Sequence, residues 1–264
     1  MQGGLRARYV FEFCWLLGKG AAGLIFVLKG RIVLSKYKAV FFDVGGTLLR
    51  VHPSVGEVYA VHARPFGFNG SAARVQEQFR LEWKRSGGIE SLGNQTGEQA
   101  EKKFWRDLVF SVFEHFGGLN DFDTYFELIY NVFSQGESWR LFEDVAESGL
   151  LEKLKRRGVI LGVISNWDSR LLVILQNMGL DGYFDFILAS SVVGSAKPDS
   201  KIFLEALKQS GVEAAQACHI GDDARADIEG SRAVGMDAIL IDRQDFSAGG
   251  YPRVRSFLEL AQGL

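Results

Sequence analysis

The stretch Ala39-Val40-Phe41-Phe42-Asp43-Val44-Gly45-Gly46-Thr47 decides the reading of the fold. Four apolar residues in succession end on a carboxylate, and two glycines follow at once. A short unbroken apolar run bounded by turn residues fits a strand covered on both faces. Four comparable runs lie further on: Val159 to Ile164, Phe184 to Ala189, Ala217 to Ile220 and Ala238 to Ile241. Helical patterns separate them, over 144–157, 168–178, 199–209 and 224–234, and Gly158, Gly179, Gly211 and Gly235 stand where those helices should stop. Strand and helix in alternation imply an α/β chain built on a parallel, doubly wound sheet.

Residues 54–140 break that rhythm. They hold no persuasive strand and read as amphipathic helices, such as Ala72 to Arg85 and Glu98 to Phe116, punctuated by Gly87-Gly88 and Gly117-Gly118. A helical unit inserted after the first strand is the simplest account, with its many aromatic residues as its own core. The sequence thus divides into a core of 37–53 and 141–264, a helical insert of 54–140, and an N-terminal extension of 1–36 with no assigned role. In that extension Val10 to Leu34 is largely apolar, but Glu12, Lys19, Lys29 and Arg31 interrupt it. No run reaches the ~18–20 apolar residues of a membrane span. Arg6 and Arg8 precede it as in a signal peptide, yet no small-residue cleavage site follows. An appended leader is the favoured reading, and a short interfacial anchor the alternative.

Composition narrows the functional classes. The 264 residues are 47% hydrophobic and 23% charged, ordinary for a folded chain. Thirty basic against 32 acidic residues leave a net charge of -2, and no basic stripe interleaved with aromatics marks a nucleic-acid surface. Two distant cysteines, Cys14 and Cys218, make no disulfide framework and suit a reducing, cytoplasmic setting. The four histidines have no ligand spacing, and His219, inside an expected strand, reads as core.

Ligands of open parallel sheets bind beyond the carboxyl ends of the strands. Asp43 and Thr47 follow the first strand, Ser165 and Asn166 the second, and Lys197 and Pro198 the third. Gly221, Asp222 and Asp223 follow the fourth, with Asp227 one turn later. Each alone has a structural explanation: Asp43 as a turn residue, Ser165 or Asp168 as a helix cap, Lys197 as a surface lysine. Their order and placement together say more.

Phe41-Phe42-Asp43-Val44-Gly45-Gly46-Thr47-Leu48 resembles the first motif of the haloacid dehalogenase-like hydrolases. Val163-Ile164-Ser165-Asn166 resembles their second, and Lys197-Pro198-Asp199 with Ile202-Phe203 their third. His219-Ile220-Gly221-Asp222-Asp223 through Asp227-Ile228 to Gly235-Met236 resembles their fourth. The likeness runs from Lys38 to about Asp242, and it makes the expected fold a Rossmann-like core whose helical insert is the cap domain of subfamily IA. It implies a hydrolase of small phosphorylated molecules working through an aspartyl-phosphate. Asp43 would be the nucleophile, Thr47 and Ser165 would bond the transferring group, and Lys197 would neutralise charge. Asn166 and Gly46 would contact the substrate. A Mg²⁺ ion would be held by Asp43, the Gly45 carbonyl and Asp222, with Asp227 completing the acidic set and orienting water or Lys197.

One departure bears on mechanism. Phosphatases of this family carry a second aspartate two residues after the nucleophile, which protonates the leaving group. Here that position is Gly45. General acid catalysis contributes roughly 10²–10⁴-fold, about 3–5 kcal/mol, so alkyl phosphates should be poor substrates. Three readings follow: a phosphatase for leaving groups that need no proton, or with Asp168 as substitute acid; a 2-haloacid dehalogenase, with Arg50 near the hinge holding halide; or a non-catalytic phospho-ligand-binding protein. Gly45→Asp is expected to raise monoester hydrolysis.

Overall fold

The computed structural model describes residues 27–28, 31–244 and 250–264. Most of the N-terminal extension, including Arg6, Arg8 and Cys14, lies outside the described residues. Two short strands, β1 (Val27–Leu28) and β2 (Arg31–Ile32), pair antiparallel within its last part. Ile32 and Leu34, upstream of the expected boundary at 37, are buried in the main core.

β3 (Ala39–Phe42) ends at Asp43, and a tight loop then gives β4 (Leu49–Val51). Four helices follow: α1 (Val55–Ala63), α2 (Ala72–Ser86), α3 (Glu98–Glu114) and α4 (Phe122–Val132). The chain returns through β5 (Trp139–Leu141), which pairs antiparallel with β4. This two-stranded stalk was not expected, because three-residue strands are too short to show a period. The insert has its own aromatic core, with Phe113 at its centre: ring centroids lie 5.1 Å from Tyr125 and 5.3 Å from Phe68 in edge-to-face geometry.

Beyond the stalk come α5 (Glu143–Ser148), α6 (Leu150–Arg156), β6 (Ile160–Ser165), α7 (Leu171–Asn177), β7 (Phe186–Ala189) and α8 (Ser190–Val193). The chain continues with α9 (Ser200–Ser210), β8 (Ala217–Gly221), a π-helical turn over Ala224–Glu229, α10 (Gly230–Ala233) and β9 (Asp237–Ile241). It closes with β10 (Arg253–Val254) and α11 (Phe257–Ala261). The single helix expected over 144–157 is two helices. Gly149 adopts φ +56°, which ends α5, and the Ser148 hydroxyl accepts from the Leu150 amide to start α6.

The sheet has the order β10-β9-β8-β3-β6-β7 and every pairing is parallel. In β3, Val40 and Phe42 pack into one cluster while Ala39 and Phe41 pack into another on the opposite face. Helices therefore cover both sides, which accounts for the unbroken apolar run. From β3 the chain builds outward through β6 and β7, then crosses back to build β8, β9 and β10 on the other flank. The strand order switches beside β3, and the carboxyl ends of β3, β6 and β8 open a crevice there. Among the described residues no helix is long and apolar enough to cross a membrane.

Candidate active site

Asp43 projects from the carboxyl end of β3 and is buried. Its Oδ1 accepts from Ser165 Oγ at 2.8 Å and from Lys197 Nζ at 2.6 Å, so neither bond uses Oδ2. Burial raises the Asp43 carboxyl above its ordinary value; Lys197 and Ser165 oppose that and Asp227 adds to it.

Lys197 Nζ also donates to Asp227 Oδ1 at 2.5 Å. Burial alone would lower this ammonium, but Asp227 and Asp43 outweigh it and raise it, keeping it charged. Asn166 fixes the backbone of Lys197 at two points: its Oδ1 accepts from Lys197 N at 2.7 Å, and its Nδ2 donates to Lys197 O at 2.9 Å. Nδ2 further donates to Glu90 Oε1 of the insert. The side chain expected to contact substrate is thus engaged in holding the lysine.

Asp227 is buried, and three partners hold it: Lys197, the Asp223 amide at 3.0 Å, and His219 Nε2 at 2.9 Å. Burial pushes its carboxyl up, but Lys197 and His219 prevail and hold it below the ordinary carboxylate range. Burial lowers His219 in turn, so the ring is neutral, with Nε2–H donating to the carboxylate. His219 is fully buried, as expected of a core residue, and it also orients Asp227. The signal was its placement in β8, the strand that leads into Asp222. A side chain at Gly221 would strike Asp227, its Cβ falling 2.1 Å from the carboxylate carbon.

Asp222 faces the cavity, where its surface stays open to solvent. The surrounding protein, then Asp43 and Asp227, push its carboxyl up to about 7. Thr47 is fully buried and donates to Asp222 Oδ1 at 2.8 Å, so this hydroxyl is committed to a carboxylate where contact with the transferring group was expected. Gly46 has φ +83°, and a Cβ there would fall 2.3–2.9 Å from the Asp222 carboxylate. It is the close approach of backbone to acid that requires glycine. Arg243 donates to the carbonyls of Gly46 and Thr47 at 2.7 and 2.8 Å while paired with Asp144, which fixes the loop from the far side.

Oxygens of Asp43, Asp222 and Asp227 lie within 4.8 Å of one another. Three carboxyl groups crowd around one lysine, which is why ionising Asp222 is resisted, and an all-oxygen donor set suits a hard divalent cation.

Gly45 lies under Trp167, and a Cβ built on it would come 3.2 Å from Trp167 Cζ3. Two side chains considered from sequence have other occupations. Asp168, considered as a substitute acid, is fully buried; it takes two bonds from the Arg170 guanidinium at 2.7 and 3.0 Å and one from Trp105 Nε1 at 2.6 Å. Its oxygens are occupied in tying the insert to the core. Arg50 lies on the stalk beside the cavity and pairs with exposed Glu143 at 3.1 Å.

The carboxyl ends of β3, β6 and β8 form the floor of a cavity of about 550 Å³, roofed by the insert. Its size is ordinary for a small-molecule site of roughly 300–1,000 Å³. Aromatic rings missed in the sequence reading line its walls, among them Trp83, Trp105, Tyr130 and Trp139. In the sequence they were indistinguishable from core aromatics.

Comparison with known proteins identifies the family. A family model described as haloacid dehalogenase-like hydrolase matches residues 37–235. Haloacid dehalogenase-like hydrolase domain-containing protein 3 of Homo sapiens is 35% identical over 204 residues, covering 76% of this chain and 80% of that protein. Among solved structures, a HAD phosphatase from Thermococcus onnurineus superposes with TM-score 0.60 at 25% identity, covering 85% of this chain and 96% of its own. A 2-haloacid dehalogenase from Pseudomonas syringae superposes with TM-score 0.59 at 26% identity, covering 86% and 97%. With the family model spanning the first motif to the last, the chain belongs to the haloacid dehalogenase-like hydrolases.

Proposed function

We propose that the chain is a Mg²⁺-dependent phosphatase of small molecules that works through an aspartyl-phosphate on Asp43. The observation that carries this reading is the carboxylate cluster of Asp43, Asp222 and Asp227 gathered around Lys197 at the floor of the cavity. A halide or haloacid needs no such concentration of negative charge. A phosphoryl group needs both a cation to offset its oxygens and an anionic nucleophile.

Asp43 and Asp222 would hold Mg²⁺ with the Gly45 carbonyl. Bound there, the ion supplies positive charge against the phosphoryl oxygens. The protein's own groups do the rest. Lys197 donates toward Asp43 and the phosphoryl group, and Ser165 aligns the nucleophile. Asn166 holds the Lys197 backbone, and Asp227, oriented by His219, holds its ammonium. Asp43 attacks phosphorus, the leaving group departs, and water then releases phosphate from Asp43. Residues 54–140 act as a cap that excludes water.

A dehalogenase remains the second reading, favoured by the missing acid at Gly45 and the apolar cavity walls. Phosphate release from acetyl phosphate and p-nitrophenyl phosphate, with and without Mg²⁺, separates the two. Wild-type protein should release phosphate only with Mg²⁺, and Asp43→Asn should fall to background while still unfolding in one cooperative transition. Full activity in that variant would remove Asp43 as nucleophile.

A further inference from the structure

The leaving-group side of the cavity has a chemistry of its own. Trp167 covers Gly45, and its ring lies 4.9 Å from that of Trp139. Trp83 and Trp105 stack at 5.6 Å further up the wall, and Tyr130 lies nearby. Two of the four indole N–H groups are taken: Trp105 donates to Asp168 and Trp139 to the Phe133 carbonyl at 3.1 Å. These walls therefore offer chiefly ring faces.

The charged groups around the cavity are engaged as well. Among the described residues lining it, the cations are Arg50, Arg170 and Lys197. Arg50 pairs with Glu143, Arg170 with Asp168, and Lys197 with Asp43 and Asp227. Arg170 is further held by the Tyr130 carbonyl and lies 3.9 Å from the Tyr130 ring centroid. A second phosphate or a carboxylate on the substrate would find Arg170 and Lys197 held in buried pairs, with only Arg50, whose partner Glu143 is exposed, within reach, and would face Glu90 and the aspartates. Drawing Arg170 or Lys197 out of its buried pair to receive it is strongly unfavourable.

Resting on the phosphatase reading above, the geometry points to a narrower substrate class: a phosphate monoester of an uncharged, flat aromatic alcohol, whose ring lies among Trp167, Trp139 and Trp105. The missing acid and the ring-lined wall then have one explanation. A phenolic oxygen, with a pKa of ~10, leaves as the anion far more readily than an alkoxide, whose basicity is nearer that of hydroxide (water ~15.7). An Asp43 oxygen bonds to phosphorus as the P–O(aryl) bond breaks, and the electron pair leaves on the aryl oxygen. Water then displaces Asp43 from phosphorus and its proton ends on the phenolate. The sum is aryl phosphate plus water giving phenol plus inorganic phosphate.

The test uses the full chain with Mg²⁺ and four esters or anhydrides: 1-naphthyl, phenyl, ethyl and acetyl phosphate. Inhibition of acetyl phosphate hydrolysis by 1-naphthylphosphonate and by methylphosphonate then isolates ring binding from leaving-group chemistry. The expected result is kcat/KM at least about 100-fold higher for 1-naphthyl than for ethyl phosphate. The naphthylphosphonate inhibition constant should be at least tenfold below that of methylphosphonate, about 1.4 kcal/mol. Trp167→Ala should lower the ratio of naphthyl to acetyl phosphate turnover at least tenfold. Hydrolysis of acetyl phosphate with equal inhibition by the two phosphonates would overturn the aromatic assignment and leave the phosphatase reading standing. No phosphate release from any of the four would overturn both.

Discussion

Trp167 over Gly45 forms a two-residue unit whose parts constrain each other. A Cβ at 3.2 Å from the indole edge is closer than side chains ordinarily approach, and a carboxylate extends further still. Restoring the family's acid at this position therefore needs the indole to move. Gly45→Asp alone is expected to raise ethyl phosphate hydrolysis weakly, and Gly45→Asp with Trp167→Ala by roughly 10²-fold, the lower range of general acid catalysis. Steady-state rates on ethyl phosphate, with melting curves for both variants, check this. Equal rates in the single and double variants would mean that Trp167 does not exclude the acid. Gly45 itself was legible in sequence as a departure, but its reason was not, because Trp167 comes from a loop on another strand.

Between elements, the contacts that matter join α3 and α4 of the insert to the loop 166–170 of the core. Trp105 and Arg170 converge on Asp168, Arg170 reaches the Tyr130 carbonyl, and buried Glu101 accepts from both the amide and the hydroxyl of Ser169. These bonds explain why α7 begins at Leu171 when the sequence suggested a start at Asp168: the first residues are drawn into the junction. Removing one member of a buried ion pair typically costs roughly 3–5 kcal/mol. Arg170→Ala should therefore lower the urea midpoint markedly and destabilise the insert's attachment, as read by faster amide exchange in α3. A midpoint within experimental scatter of wild type would deny Asp168 and Arg170 this role. No sequence pattern announces such a junction, since its partners stand far apart in the chain. The five long-range strand runs were legible because burial on both faces leaves an unbroken apolar signature. β10 was not, because its Arg253 is exposed and the strand has two residues. The π-helical turn at Ala224–Glu229 was read as ordinary helix, since its opening is held by side-chain bonds to Asp223 that composition does not reveal.

For the molecule as a whole, the concentration of carboxylates on the cavity floor couples stability to metal and proton. Asp222, held up to about 7 against an ordinary 3.8, keeps a proton in the folded metal-free protein that the unfolded chain has already lost. Its contribution to stability is complete below about pH 4 and disappears as pH rises through 7. A divalent cation binds the ionised form and competes with that proton. Mg²⁺ should thus raise the Tm more at pH 8 than at pH 5.5, and scanning calorimetry at the two pH values measures it. No shift at either pH would argue that the cluster holds no metal, and an equal shift that no proton on Asp222 competes with it. The fold and the order of the four site segments were readable from sequence because three of them lie at the end of a strand and the fourth, at Lys197, follows β7 after one short helix. The aromatic walls were not, because only the three-dimensional path of the insert separates a ring that faces the cavity from one that faces Phe113.

Those walls have an optical consequence. Trp83, Trp105, Trp139 and Trp167 all border the cavity, four of the five tryptophans in the chain. Most of the chain's indoles therefore stand around the cavity. An arriving aromatic ring should quench their emission and a small anion should scarcely alter it, so the unlabelled protein reports the occupancy of its own site.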